Sequence, residues 1–138
     1  MNTKLTTIGF LGAMILAGTA YADSMHMAVK AQDQSVSGGT VTASEIMAQA
    51  NGWLVVHRTD AAMKPGPVVG HAPLKNGANR EVTAILTEPV QKGEMLMLML
   101  HGEDGGMKTG IFEYTLGAKE DGPVKVDGKL VMTVITAL

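Results

Sequence analysis

The sequence predicts an all-β protein with a single domain, either an antiparallel β-sandwich, for which a cupredoxin-like arrangement is one option, or a small barrel. Short turn signals recur along most of the chain, as at Asn51-Gly52, Asn76-Gly77 and Asp127-Gly128. Apolar or β-branched runs of strand length lie between these turns. Many short strands separated by regular turns are typical of a sandwich.

The N-terminus predicts export from the cytoplasm. Lys4 precedes an apolar run over residues 5–17, and the small-residue triplet Ala20-Tyr21-Ala22 follows it. This order is the pattern of a secretory signal peptide that is cleaved after Ala22. The run is shorter than the roughly 20 residues that a membrane span needs. We therefore expect residues 1–22 to be a signal peptide and residues 23–138 to be one β-sandwich domain without a membrane span. The mature protein is expected to be periplasmic or extracellular.

The expected strands follow from the apolar runs between the turns. In chain order they cover residues 29–36, 40–43, 53–57, 67–71, 81–86, 95–101, 111–114 and 130–135. A helical turn is an alternative for residues 43–50. Residues 95–101 are apolar on both faces, with leucines on one face and methionines leading to His101 on the other, so they predict a central strand. The single tryptophan, Trp53, is expected to be buried near Val55 and Phe112.

Composition excludes several classes of protein and of site. The chain has no cysteine, which rules out disulfides, cysteine-linked lipid anchors and blue-copper centres, which need a thiolate. The formal net charge is −2 and the basic residues are scattered, so we expect no nucleic-acid binding. No nucleophile elbow, His-Glu-x-x-His helix or phosphate-binding loop is present, so we expect that the protein is not an enzyme.

Several stretches together resemble a known kind of domain. They are Gly52-Trp53-Leu54-Val55-Val56-His57, Gly66-Pro67-Val68-Val69-Gly70, Asn76-Gly77, Met99-Leu100-His101, Gly110-Ile111-Phe112-Glu113-Tyr114 and Gly122-Pro123-Val124-Lys125-Val126-Asp127-Gly128. Over about residues 33–134 the chain resembles a family of domains of unknown function from secreted and cell-surface proteins of archaea and bacteria. This resemblance implies an immunoglobulin-like β-sandwich outside the cytoplasm, and it implies no established activity.

Methionine and histidine suggest copper. The chain contains 11 methionines and four histidines, and thioether sulfur is a soft ligand that selects Cu(I). Met25-His26-Met27 and the stripe from Met95 to His101 are the most concentrated groups. Ligands two residues apart on a strand stand about 6.7 Å apart, so one strand face cannot close a site. We therefore expect a metal site of His101, Met99, His57 and Met107.

The leading hypothesis is an exported, non-enzymatic binding protein, with copper as the first ligand to test. The alternative is a structural or surface-interaction module that contacts an envelope protein partner, in which the methionines are only core. Burial of Met95, Met97 and Met99 between sheets favours the module, whereas their exposure beside a histidine favours copper.

Overall fold

The computed structural model describes residues 26–138, so the predicted signal peptide and Met25 lie outside the described residues. Nine strands and no helix form in this part of the chain. The strands are β1 (Ala28–Lys30), β2 (Thr40–Ala48), β3 (Gly52–Thr59), β4 (Val68–Leu74), β5 (Gly77–Leu86), β6 (Met95–Gly102), β7 (Lys125–Val126), β8 (Lys129–Leu130) and β9 (Met132–Thr136). Across residues 26–138, no helix has the length and apolarity that a membrane crossing requires.

Seven strands form one antiparallel sheet, in the order β1-β2-β5-β4-β3-β6-β9. The two remaining strands, β7 and β8, pair as a hairpin around Asp127 and Gly128, whose φ angles are 50° and 76°. Two successive residues with positive φ make the type I′ turn, for which Asp-Gly is a preferred pair. This turn was predicted from the sequence.

The sheet folds back on itself where β4 meets β5. β4 pairs with β5 only at Gly70 and His71, which lie opposite Leu86 and Ile85. Over most of their lengths, β5 pairs with β2 and β4 pairs with β3. Gly70 allows this corner, because a Cβ there would lie 2.9 Å from the carbonyl oxygen of Ile85. The layer β1-β2-β5 thereby packs on the layer β4-β3-β6-β9, and a parallel bridge from Gln34 to Ala137 nearly closes the open side. The predicted β-sandwich is confirmed, but its two layers belong to one continuous sheet.

The hydrophobic core lies between the layers and fixes the orientation of the central strands. Leu54 and Val56 of β3 and Leu96, Leu98 and Leu100 of β6 point into this core. Because side chains alternate across a strand, the next residues of β3 and β6 point to the opposite face. Those residues are buried as well, so the prediction of a central strand over residues 95–101 is confirmed.

Two predictions of local structure are wrong in whole or in part, and one alternative is excluded. Residues 111–114 form no strand; they belong to an irregular segment in which the backbone N–H of Glu113 donates to the carboxylate of Asp121 instead of to a neighbouring strand. Residues 43–50 form no helical turn, because β2 continues to Ala48 in register with β5. In the predicted strand at residues 29–36, only the beginning belongs to a strand, β1, and Gln34 pairs with Ala137 as an isolated bridge.

Candidate functional site

The outer face of β3 and β6 is a second buried surface. It carries Trp53, Val55 and His57 from β3 and Met97, Met99 and His101 from β6, all at most 6% exposed. Residues 103–124, which we call the covering segment, pack over part of this face. Phe112 of this segment lies 5.5 Å from Trp53 between ring centroids, and Tyr114 lies 4.5 Å from His101. The prediction that Trp53 is buried against Phe112 is confirmed.

Strand register places the two histidines in different rows of this face. His57 lies opposite Met97, His101 lies opposite Trp53, and the Val55–Met99 pair forms the row between them. Because β3 and β6 run antiparallel, the strand end that carries His57 is not next to the strand end that carries His101. The two side chains nevertheless reach over the intervening row, and their Nε2 atoms come within 3.3 Å of each other.

Backbone carbonyls fix the proton positions of both rings. The Nδ1 atom of His57 lies 2.8 Å from the carbonyl oxygen of Gly66, and that of His101 lies 2.6 Å from the carbonyl oxygen of Asp121. A carbonyl oxygen only accepts, so each Nδ1 carries the hydrogen and donates it. In the neutral form of both rings, each Nε2 therefore presents a lone pair to the other.

Burial keeps both rings neutral. It lowers the pKa of His101 to about 4, against the opposing effect of the hydrogen bond to Asp121, and the nearby His57 lowers this pKa further. Burial likewise lowers the pKa of His57, against the opposing effect of the hydrogen bond to Gly66. Two unprotonated nitrogens thus face each other inside the protein near neutral pH.

The geometry of the pair suits a metal ion. With bonds of about 2.0 Å, as for imidazole on zinc, two nitrogens 3.3 Å apart subtend about 110° at the ion, close to the tetrahedral angle. Metal-binding histidines also donate their second ring N–H to a carbonyl or carboxylate, as both rings do here. In residues 26–138, no group of three or more His, Cys, Asp or Glu side chains could hold a metal. A third ligand would therefore come from another type of group, and the thioether of Met99, in the row between the histidines, is the candidate that the strand register offers.

The four predicted site residues divide into two groups. The structure brings His57 and His101 together and places Met99 in the row between them. Met107 lies on the covering segment with its side chain 93% exposed, outside the buried face. Met97 and Met99 are buried and Met95 is half-buried, which is the outcome that favours the structural module. The same two buried methionines also lie beside the histidines, as a copper site requires.

Sequence reasoning missed three contributors to this site. The ring of Tyr114 packs against both imidazoles, and the backbone of Gly66 and Asp121 orients them. In the sequence, Pro65-Gly66-Pro67 and Asp121-Gly122-Pro123 indicate turns and nothing more. Nothing in the sequence indicates which turn carbonyl meets a histidine, since that depends on how the covering segment folds back.

Comparison with known proteins agrees with an uncharacterised domain. The family model described as "Domain of unknown function (DUF7282)" matches residues 27–137, which include the whole sandwich and both buried histidines. No curated protein and no solved structure matches the chain. The resemblance to a family of unknown function is confirmed at that level. The chain belongs to the DUF7282 family of domains of unknown function.

Proposed function

We propose that the protein is an exported, non-enzymatic domain that binds Cu(I) between His57 and His101, with Met99 as the third ligand. One observation carries the proposal: two buried Nε2 atoms lie 3.3 Å apart while both Nδ1 atoms donate to carbonyls. Facing acceptors repel each other and lose the hydrogen bonds that water would give them. A cation that accepts both lone pairs removes this cost.

The ligand set favours Cu(I) over other ions. Imidazole binds several transition metals, but thioether sulfur selects Cu(I). A thioether carries no charge, so the ion is buried without a negatively charged ligand bound to it. A divalent ion costs far more to bury in this way than a monovalent one. Met97 and Met99 of the β6 outer face supply sulfur in the rows that the histidines span, and Met132 of β9 pairs with Met99 in the row between them.

Competition for Cu(I) against a chromogenic chelator, under reducing and oxygen-free conditions, tests this function. We expect the unmodified protein to take up one equivalent. His101→Gln should weaken binding by more than about 100-fold and Met99→Leu by about tenfold or more, since even residues that only support a ligand contribute 10- to 100-fold. Met99→Leu keeps the side-chain volume and typically costs less than about 1.5 kcal/mol of stability.

Met107→Leu is the matched control, because it removes the same sulfur from a side chain that is 93% exposed. Its Cu(I) affinity should equal that of the unmodified protein. If the unmodified protein fails to compete with even a weak chelator, the copper proposal is wrong. The structural or surface-interaction module with an envelope partner then becomes the better explanation, with the methionines serving as packing.

Export is tested separately on protein from the native host. The Ala20-Tyr21-Ala22 triplet predicts a mature chain that begins at Asp23 and is found in the periplasmic or extracellular fraction. Intact-mass measurement of the protein in each fraction reports the cleavage. A mature pool that retains residues 1–22 would contradict the export proposal and leave the metal site untouched.

A further inference from the structure

Tyr114 is the residue of the covering segment that contacts both histidines. Its ring lies 4.5 Å from that of His101 and 5.9 Å from that of His57 between centroids, edge-on to each. The side chain is only 8% exposed. Its hydroxyl accepts a hydrogen bond from the backbone N–H of Gly117, so the phenol is anchored within the covering segment. The aromatic ring therefore covers the histidine pair on the side of the covering segment.

A buried negative charge lies next to the same pair. Asp121 is completely buried, and its two carboxylate oxygens accept the backbone N–H groups of Asp104 and Glu113 at 3.1 and 2.8 Å. Among the ion pairs within residues 26–138, none includes Asp121. Its carbonyl oxygen also binds the Nδ1–H of His101. A single positive charge at the histidine pair would balance this single negative charge.

We propose that the Tyr114 ring closes the coordination sphere, so that the site accepts Cu(I) and rejects Zn²⁺ and added ligands. This inference rests on the proposed Cu(I) function. Protein zinc sites are almost always four-coordinate. Two imidazoles and one thioether supply three ligands, and the Tyr114 ring lies against both imidazoles on the side of the covering segment, where an external fourth ligand would enter. Cu(I) forms stable complexes with three ligands, and its single positive charge would balance the single negative charge of Asp121.

The experiment compares the unmodified protein with Tyr114→Phe and Tyr114→Ala. Each is loaded with Cu(I) and exposed to carbon monoxide, whose infrared stretch reports whether an external ligand reaches the ion. Each apo protein is also titrated with Zn²⁺. We expect no carbon monoxide adduct in the unmodified protein or in Tyr114→Phe, which keeps the ring. Tyr114→Ala should form the adduct and bind Zn²⁺ at least about tenfold more tightly than the unmodified protein.

The outcomes separate this inference from the function on which it rests. Failure of the unmodified protein to bind Cu(I) would overturn the function itself. Cu(I) binding together with a carbon monoxide adduct in the unmodified protein would overturn only the role of Tyr114. If Tyr114→Ala forms no carbon monoxide adduct and binds Zn²⁺ as weakly as the unmodified protein, the role of Tyr114 is likewise overturned. If Tyr114→Ala does not fold, Tyr114→Leu replaces it, since it keeps apolar volume but does not reach across both imidazoles.

Discussion

At the scale of single residues, the histidine pair combines complete burial with unprotonated nitrogens that face each other. His57 and His101 each satisfy Nδ1 with a carbonyl, and each leaves Nε2 directed at the other ring. A buried acceptor without a donor costs about 1–3 kcal/mol, so the arrangement costs stability in the metal-free protein. The histidine pair therefore lowers the stability of the metal-free protein, and binding of a cation would relieve that loss.

The same burial predicts a dependence of stability on pH in the metal-free protein. The pKa of His101 is lowered to about 4 in the folded state, whereas an unfolded histidine titrates near 6.5. Between these values the unfolded chain binds the extra proton and the folded protein does not, so the free energy of unfolding rises with pH. The stability that comes from keeping His101 neutral is fully present above about pH 6.5 and is lost as pH falls towards 4. The free energy of unfolding changes by an amount on the order of 3 kcal/mol over this range.

Urea denaturation followed by Trp53 fluorescence measures this dependence at several pH values. His101→Gln should flatten the rise between pH 4.5 and 6.5. His26→Gln is the control, because His26 is exposed and its replacement should leave the profile unchanged. A profile that stays as steep in His101→Gln as in the unmodified protein would show that another group causes the effect.

At the scale of elements, side-chain carboxylates organise the covering segment in place of regular structure. Glu103 accepts the backbone N–H of Gly110, Glu113 accepts that of Lys108, and Asp121 accepts two more. These bonds fold the segment on itself, and backbone hydrogen bonds from Gly102 to Gly122 and from Val124 to Leu100 attach its end to β6. Access to the proposed metal site would therefore depend on how firmly this segment is held.

Asp121→Ala should destabilise the protein by about 2 kcal/mol, because it leaves two partly buried N–H groups without their acceptor and places alanine at positive φ. Asp121→Asn should cost less, since it keeps one oxygen and asparagine tolerates this backbone conformation. Urea denaturation gives the differences in the free energy of unfolding.

The matched control is Asp127→Ala, which introduces the same backbone strain at an exposed turn where φ is 50°. It should cost about 1–2 kcal/mol, the price of strain alone. Equal losses in Asp127→Ala and Asp121→Ala would mean that the two hydrogen bonds of the Asp121 carboxylate add little to stability.

At the scale of the whole molecule, the sequence predicted the strands that turn signals bracket. Asn51-Gly52 and Asp127-Gly128 marked real turns, and the two-sided apolar run at residues 95–101 marked a real central strand. The alternation at residues 111–114 led to the wrong prediction of a strand. Phe112 and Tyr114 pack over the sheet from the covering segment and do not belong to a strand of it. A period of two shows that one face is apolar, and it does not show what buries that face.

The candidate site was only partly predictable for a related reason. The softness of sulfur and the strand positions pointed to His57, His101 and Met99, which the structure places on one face. Met107 was chosen for its nearness in the chain, and the turn after His101 carries it out to the surface. Tyr114 and Asp121 enter through a long loop whose course no local pattern specifies.

The most direct test of the central claim is nitrogen NMR of the protein labelled with ¹⁵N-histidine, before and after one equivalent of Cu(I). The metal-free protein should show hydrogen on Nδ1 and a free lone pair on Nε2 in both His57 and His101. Cu(I) should shift both Nε2 signals together, with a sharp end point at one equivalent, while both Nδ1 hydrogens persist. Unchanged signals from His57 and His101, or shifts confined to His26 and His71, would contradict the account.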